Sequence, residues 1–106
     1  MRQKDVILGM KELAATVLPS GAELILFGSR ARGDAHTDSD WDILILIDGM
    51  RATGNDFEKY AYPFVDYGWS IGEEINPLIY SFSDWRERSI TPFYKNIQAE
   101  GILLCH

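Results

Sequence analysis

Apolar residues recur every three or four positions near the start of the chain, at Val6, Ile7, Met10, Leu13, Ala14, Val17 and Leu18. That spacing lines one face of an α-helix, and Pro19-Ser20-Gly21 stops it. The pattern then changes. "AELILF" (22–27) and "WDILILI" (41–47) are short, nearly continuous apolar runs, as expected of strands buried on both faces. Gly28-Ser29 closes the first run and "SRARG" can open a helix, while Asp48-Gly49 ends the second. Asn55 and Glu58 have the spacing of a capping box, predicting a helix that turns Phe57, Tyr60, Ala61 and Phe64 inward. Pro63 should kink or split that helix. "INPLIYSF" (75–82) reads as a third strand, and Pro77 inside it argues for an edge position. Ser83 is placed to cap a short helix around Trp85. Thr91-Pro92 is a cap followed by proline, and Gly101 falls where a helix ends.

The resulting order is helix, strand, helix, strand, helix, strand, helices. It predicts an α/β fold in which a small mixed sheet of three or more strands is flanked by helices. At 106 residues the chain is expected to form one domain, 1–106, without a separate substrate domain.

Composition narrows the functions open to such a fold. An apolar content of 46%, with three Trp, five Tyr and five Phe, is that of a globular protein. The net charge of −6 argues against general binding of nucleic acid or of anionic membrane, which both require cationic surface. A negatively charged substrate would need a local device instead. Lys11 and Glu12 interrupt the first apolar stretch, which fits an amphipathic helix better than a signal peptide, and no run approaches the roughly 18 apolar residues of a membrane span. The one cysteine, Cys105, leaves no intrachain disulfide, so a cytoplasmic location is expected.

The candidate chemistry lies in "FGSRARGDAHTDSDWDILI" (27–45). Asp40 and Asp42 stand two apart at the mouth of a strand, so their carboxylates share a face. Such a pair suits a hard divalent cation, Mg²⁺ or Mn²⁺, when phosphate is the other ligand. The Gly28-Ser29 turn supplies the complement: glycine admits a close phosphate, and the amides opening the next helix face it. Each signal is also met without chemistry. Gly-Ser ends many strands as a plain turn, Asp-x-Asp can be a solvated strand end, and Arg30 and Arg32 can simply offset nearby acids. His36 has no spaced Cys or His around it and is rejected as a zinc ligand.

In combination, strand, Gly-Ser, helix start, Gly33, acidic loop, Ser39-Asp40-x-Asp42 and apolar strand resemble the polymerase-β-like nucleotidyltransferase superfamily. More closely, the chain resembles its minimal nucleotidyltransferase branch, over roughly residues 5–104. The ending "TPFYKNIQAEGILL" is similar to that branch too, several members of which are encoded beside a small helical HEPN-type protein. The resemblance implies that Gly28, Ser29, Arg30, Arg32, Gly33 and Ser39 bind the nucleotide, and that Asp40 and Asp42 are catalytic metal ligands. The implied reaction is in-line attack of an acceptor hydroxyl on the α-phosphorus of ATP or another nucleoside triphosphate, releasing pyrophosphate.

One feature of the family pattern is altered. The superfamily adds a third carboxylate from a later strand, and the matching position here holds Asn76. Glu74, two residues earlier and on the same face, is the candidate replacement, although its Cα is displaced by roughly 6–7 Å at strand rise. Two functions follow. As an enzyme, the chain would move AMP from ATP onto a hydroxyl of a HEPN-type toxin partner and so silence it. As a binding module, it would neutralise that partner by complex formation, with Trp69, Tyr80, Phe82, Trp85, Phe93 and Tyr94 available either as contact surface or as core. Residues 50–56, with Gly, Asn and Thr, suggest a mobile loop beside the site.

Overall fold

The computed structural model describes residues 2–105. The first helix, α1 (Gln3–Val17), buries Val6, Met10 and Ala14, three positions of the predicted face. It leads to β1 (Glu23–Phe27), a single-turn helix α2 (Ser29–Arg32) and β2 (Trp41–Ile47). A helical segment follows: α3 (Gly54–Asp56), a π-helical turn (Phe57–Ala61) and α4 (Tyr62–Ser70). The chain ends with β3 (Ile75–Ser81), α5 (Phe82–Glu87), α6 (Pro92–Glu100) and β4 (Ile102–Cys105). Among the described residues no helix is long and apolar enough to cross a membrane.

The four strands form one mixed sheet in the order β3-β2-β1-β4. β1 is antiparallel to β2 and β4, and β3 runs parallel to β2. β3 therefore lies at an edge, as Pro77 requires. Helices cover both faces, which is why β1 and β2 read as continuous apolar runs rather than alternating ones. On one face Trp41, Ile43, Ile45 and Ile47 pack with Leu24, Leu26 and Ile75 against α1 and against Ala61 and Phe64. On the other, Ile25, Leu44 and Leu46 pack against Trp85 of α5 and Ile97 of α6. Tyr80, Phe82 and Tyr94 join this second cluster, so most of the late aromatic residues are core. Trp69, 65% exposed on α4, and Phe93, 39% exposed on α6, are the exceptions.

Several local expectations are corrected. The capping box is Thr53 with Asp56, not Asn55 with Glu58. The Thr53 hydroxyl accepts from the Asp56 amide at 3.2 Å, and the Asp56 carboxylate accepts from the Thr53 amide at 2.9 Å. The cap of α5 is the buried Ser81, whose hydroxyl accepts from the Asp84 amide at 3.1 Å, and not Ser83. Pro63 does split its helix: the ladder widens to a π turn through Ala61, and proline enters at the first turn of α4, where its missing N–H costs nothing.

Gly101 ends α6 as foreseen, but for space rather than for a left-handed backbone. Its φ is −65°, and a Cβ there would meet the Ile97 carbonyl oxygen at 2.6 Å and the Ile25 Cγ2 at 2.9 Å. β4 itself was not foreseen, since four residues after a helix carry too little pattern to register as a strand. Residues 50–56 leave the C-terminal end of β2, whereas Asp42 lies near its start, so this segment is not beside the site.

Candidate active site

β2 carries the acids to the sheet's rim. Trp41 points into the α1 core, so Asp42, its neighbour, points to the face covered by α5 and α6. Asp42 stands opposite Phe27 of β1 and opposite Asn76 of β3, and the three share that face. The Asn76 amide nitrogen donates to the Asp40 carboxylate at 2.7 Å. Asp42 of β2, Asp40 just before that strand and Asn76 of the parallel strand β3 are thus drawn together.

The Gly28 turn closes the third side. Gly28 has φ +75°, a conformation that L side chains rarely adopt, and a Cβ added there would lie 2.5 Å from the Asp42 Oδ2. The glycine is required by the carboxylate behind it as much as by any ligand in front. Gly28→Ala is expected to destabilise the fold by about 1–3 kcal/mol through backbone strain alone, and to displace Asp42 as well. A urea titration of the two proteins checks the first effect. Ser29 then begins α2, whose first amides have no intrahelical acceptor, and Gly33 at φ +83° ends it.

Burial, then the charge of Asp40, pushes the Asp42 carboxyl above the ordinary carboxylate range; Asn76 and Arg32 act in the opposite sense, and Glu74 adds to the rise. Among the described residues no Lys or Arg forms an ion pair with Asp40 or Asp42. Two convergent hard oxygen donors short of positive charge, with an amide alongside, suit a divalent cation. A raised folded pKa means that folding favours the neutral acid. The contribution of Asp42 to stability is complete below the ordinary range near pH 4 and is lost as pH rises through its folded value. Asp42→Asn is accordingly expected to raise the melting temperature of metal-free protein at pH 7 by a few degrees and to have no such effect at pH 3, as calorimetry at the two pH values would show.

Glu74 is exposed, and its backbone carbonyl accepts from the Trp41 amide at 2.8 Å. Its charge is felt at Asp42, yet among the described residues no group of three or more His, Cys, Asp or Glu side chains is placed to hold a metal. The structure thus pairs Asp40 and Asp42 with Asn76 and does not gather Glu74 into a third-carboxylate position.

The two arginines part company. Arg32 is exposed on α2, with its Nε 3.3 Å from Asp34 Oδ2 and its Nη1 3.5 Å from Glu100 Oε2, and Asp34 chiefly raises its pKa. It borders a cleft of about 220 Å³ that begins at Gly28 and runs between Phe27 and the Phe93, Asn96 and Glu100 side chains of α6. Arg30 points the other way. Its side chain is only 10% exposed and turns under the loop that precedes Asp40. Ser39 belongs to that loop too: its hydroxyl accepts from the His36 amide at 2.8 Å, and its carbonyl accepts from Arg30. Reasoning on the sequence missed the cleft beside α6 and the buried setting of Arg30, because neither leaves a spacing signal.

These features coincide with a known family. The family model described as "Nucleotidyltransferase domain" matches residues 7–102, nearly the whole chain, so the protein belongs to the nucleotidyltransferase domain family and is a transferase of that class. Within it, the fold is shared with solved structures. A toxin–antitoxin crystallised with AMP-PNP superposes with a TM-score of 0.62 at 18% identity, covering 99% of this chain and 73% of the other. A Sulfolobus solfataricus protein assigned as a nucleotidyltransferase gives 0.63 at 23% identity, covering 95% and 80%. The toxin–antitoxin MntA-HpeT, in a form with two aspartates changed to glutamate, gives 0.59 at 15%, covering 99% and 73%. At these identities the likeness establishes the fold. No curated protein sequence matches the chain at a significant level.

Proposed function

We propose that this chain transfers a nucleoside monophosphate, AMP from ATP, to a hydroxyl of a protein partner, and that it acts as the antitoxin to a HEPN-type toxin. The observation that carries this reading is the convergence of Asp40 and Asp42 beside the Gly28-Ser29 turn, where among the described residues no Lys or Arg is ion-paired with either. Two solved structures of the same fold are toxin–antitoxin proteins, one of them crystallised with AMP-PNP, which supports both the nucleotide and the kind of partner.

In this reading Asp40 and Asp42 hold Mg²⁺, with Mn²⁺ as a substitute. The ion would neutralise charge that develops on the transferring phosphoryl group. Gly28, Ser29 and the first amides of α2 bind the phosphates, and Gly33 lets the chain leave the helix without covering them. Arg32 grips the end of the triphosphate in the cleft beside α6, exchanging the Glu100 carboxylate for phosphate oxygens. That exchange makes Glu100 a competitor of the substrate. Glu100→Gln is expected to lower the KM for the nucleotide about two- to fivefold, the effect of freeing one exposed ion pair, with kcat unchanged in steady-state assays.

The direct test uses purified protein, the co-encoded neighbour, Mg²⁺ and ATP labelled on the α-phosphate. Label should pass to the neighbour, and mass spectrometry should find one added AMP on a hydroxyl side chain. A tight complex without transfer would favour the second reading, a nucleotide- and partner-binding antitoxin subunit with weakened catalysis. The register pairing of Asn76 with Asp42, where the family has its third carboxylate, is the observation in its favour.

A further inference from the structure

Arg30 sits one residue beyond the phosphate turn, yet its guanidinium is buried where three segments meet. Its face stacks on the Trp41 indole, 4.4 Å from the ring centroid. Its Nη2 donates to the Ser39 carbonyl at 2.8 Å and to the Thr37 carbonyl at 3.4 Å, and lies 3.7 Å from Glu73 Oε1. That same Glu73 oxygen accepts from the Trp41 indole N–H at 2.8 Å. From the far side, Nη1 donates to Gln3 Oε1 of α1 at 3.5 Å. The knot therefore joins α2, the loop that delivers Asp40, the first residue of β2, and the turn that enters β3 one residue before Glu74 and three before Asn76.

The geometry points to Arg30 as the positioning residue of the site: it sets Asp40 and the entry of β3 in register with the Gly28-Ser29 turn, and it does not touch the nucleotide. The inference rests on the transferase reading above and gives Arg30 a positioning role in place of phosphate binding. Arginine is suited to the task because its planar fork sends Nη2 to the Ser39 and Thr37 carbonyls and Nη1 to Gln3 of α1 while its face stacks on the Trp41 ring. Lysine has the charge without the fork. The Nε of Arg30 is buried without a hydrogen-bond partner, a cost that a mere surface cation would not bear and that stacking on Trp41 offsets. Without the knot, Thr37 and Ser39, which lead into Asp40, lose their anchor from α2, and a displacement of about 1 Å at the reacting centre costs on the order of 100-fold in rate.

The test compares wild type with Arg30→Lys, and with Glu73→Gln, which keeps an acceptor for the indole but removes the ion pair. Three quantities are read: steady-state kcat and KM, Mn²⁺ affinity by electron paramagnetic resonance, and amide hydrogen exchange. Arg30→Lys should lower kcat about 10- to 100-fold with KM for ATP within about threefold. It should weaken Mn²⁺ binding and speed exchange at residues 37–41 and 73–75, while the centres of β1 and β2 keep wild-type protection. Glu73→Gln should move the same quantities less. A rise in KM with kcat preserved would overturn the inference in favour of direct phosphate contact. Unchanged exchange and unchanged Mn²⁺ affinity would overturn it outright. If Arg30→Lys does not fold, Glu73→Gln decides by the same criteria. If wild type itself transfers no label, the transferase reading fails, and exchange with Mn²⁺ binding still decides the role of Arg30.

Discussion

If the proposed reaction holds, Asp42→Ala should abolish label transfer to the partner, a loss of about 10³-fold or more in kcat, because it would remove a metal ligand and leave the charge of the reacting phosphoryl group unbalanced. The size of the effect follows from where Asp42 sits. It adjoins each part of the arrangement: opposite Phe27 at the end of β1, against the Gly28 turn, opposite Asn76 of β3, and within the electrostatic reach of Asp40. Its burial and its uncompensated charge make it costly to the resting fold, so the alanine variant should remain folded, with a melting temperature in metal-free buffer at or above that of wild type. ATP binding should weaken less than catalysis, since the Gly28-Ser29 turn proposed to hold the phosphates is retained. Parallel measurements of label transfer, melting and binding of a fluorescent ATP analogue check the three statements. Transfer that survives the substitution would remove Asp42 from the metal site.

Asn76→Asp should raise the rate of transfer about 10²-fold, the lower end of what a positioned general base contributes. Asn76 faces Asp42 across β3 and β2, and its amide nitrogen donates to Asp40 at 2.7 Å. That N–H gives Asp40 some positive complement, which holds the acids together but offers no proton acceptor. An aspartate there would crowd a third carboxylate into the group and push the Asp42 pKa further up. The metal-free variant should therefore melt below wild type at pH 7, and Mg²⁺ should more than restore it, because binding to the folded state alone stabilises by mass action. A thermal melt with and without Mg²⁺ reports the site even if the rate does not change. A faster rate would mean that the native protein is handicapped at this position. An unchanged rate, with tighter metal binding, would mean that the acceptor proton leaves by another route, through Glu74 or the substrate's own phosphate.

The largest discrepancies between sequence and structure share a cause. α1 was legible because burial of one face imposes a helical period, β1 and β2 because burial of both faces leaves short unbroken apolar runs, and the edge position of β3 because Pro77 cannot serve a central strand. The Thr91-Pro92 cap stands where it is predicted, whereas the caps at Asn55 and Ser83 fall two positions late, because Thr53 and Ser81 compete with neighbours of similar chemistry and only the helix start selects between them. β4 was missed because its order comes from pairing with β1, not from its own four residues.

For the site, the order of residues along the chain determined the Gly28-Ser29 turn and the shared face of Asp40 and Asp42, since both follow from local geometry: a glycine's freedom and the two-residue repeat of a strand. Only the tertiary structure decided what stands around them. The parallel register of β3 on β2 put Asn76 rather than Glu74 beside Asp42, and the folding of three segments onto Trp41 turned Arg30 inward while Arg32 stayed at the cleft. Spacing fixes neighbours within an element because backbone geometry is universal. Which elements meet depends on packing between residues distant in sequence, and that is settled by the whole core at once.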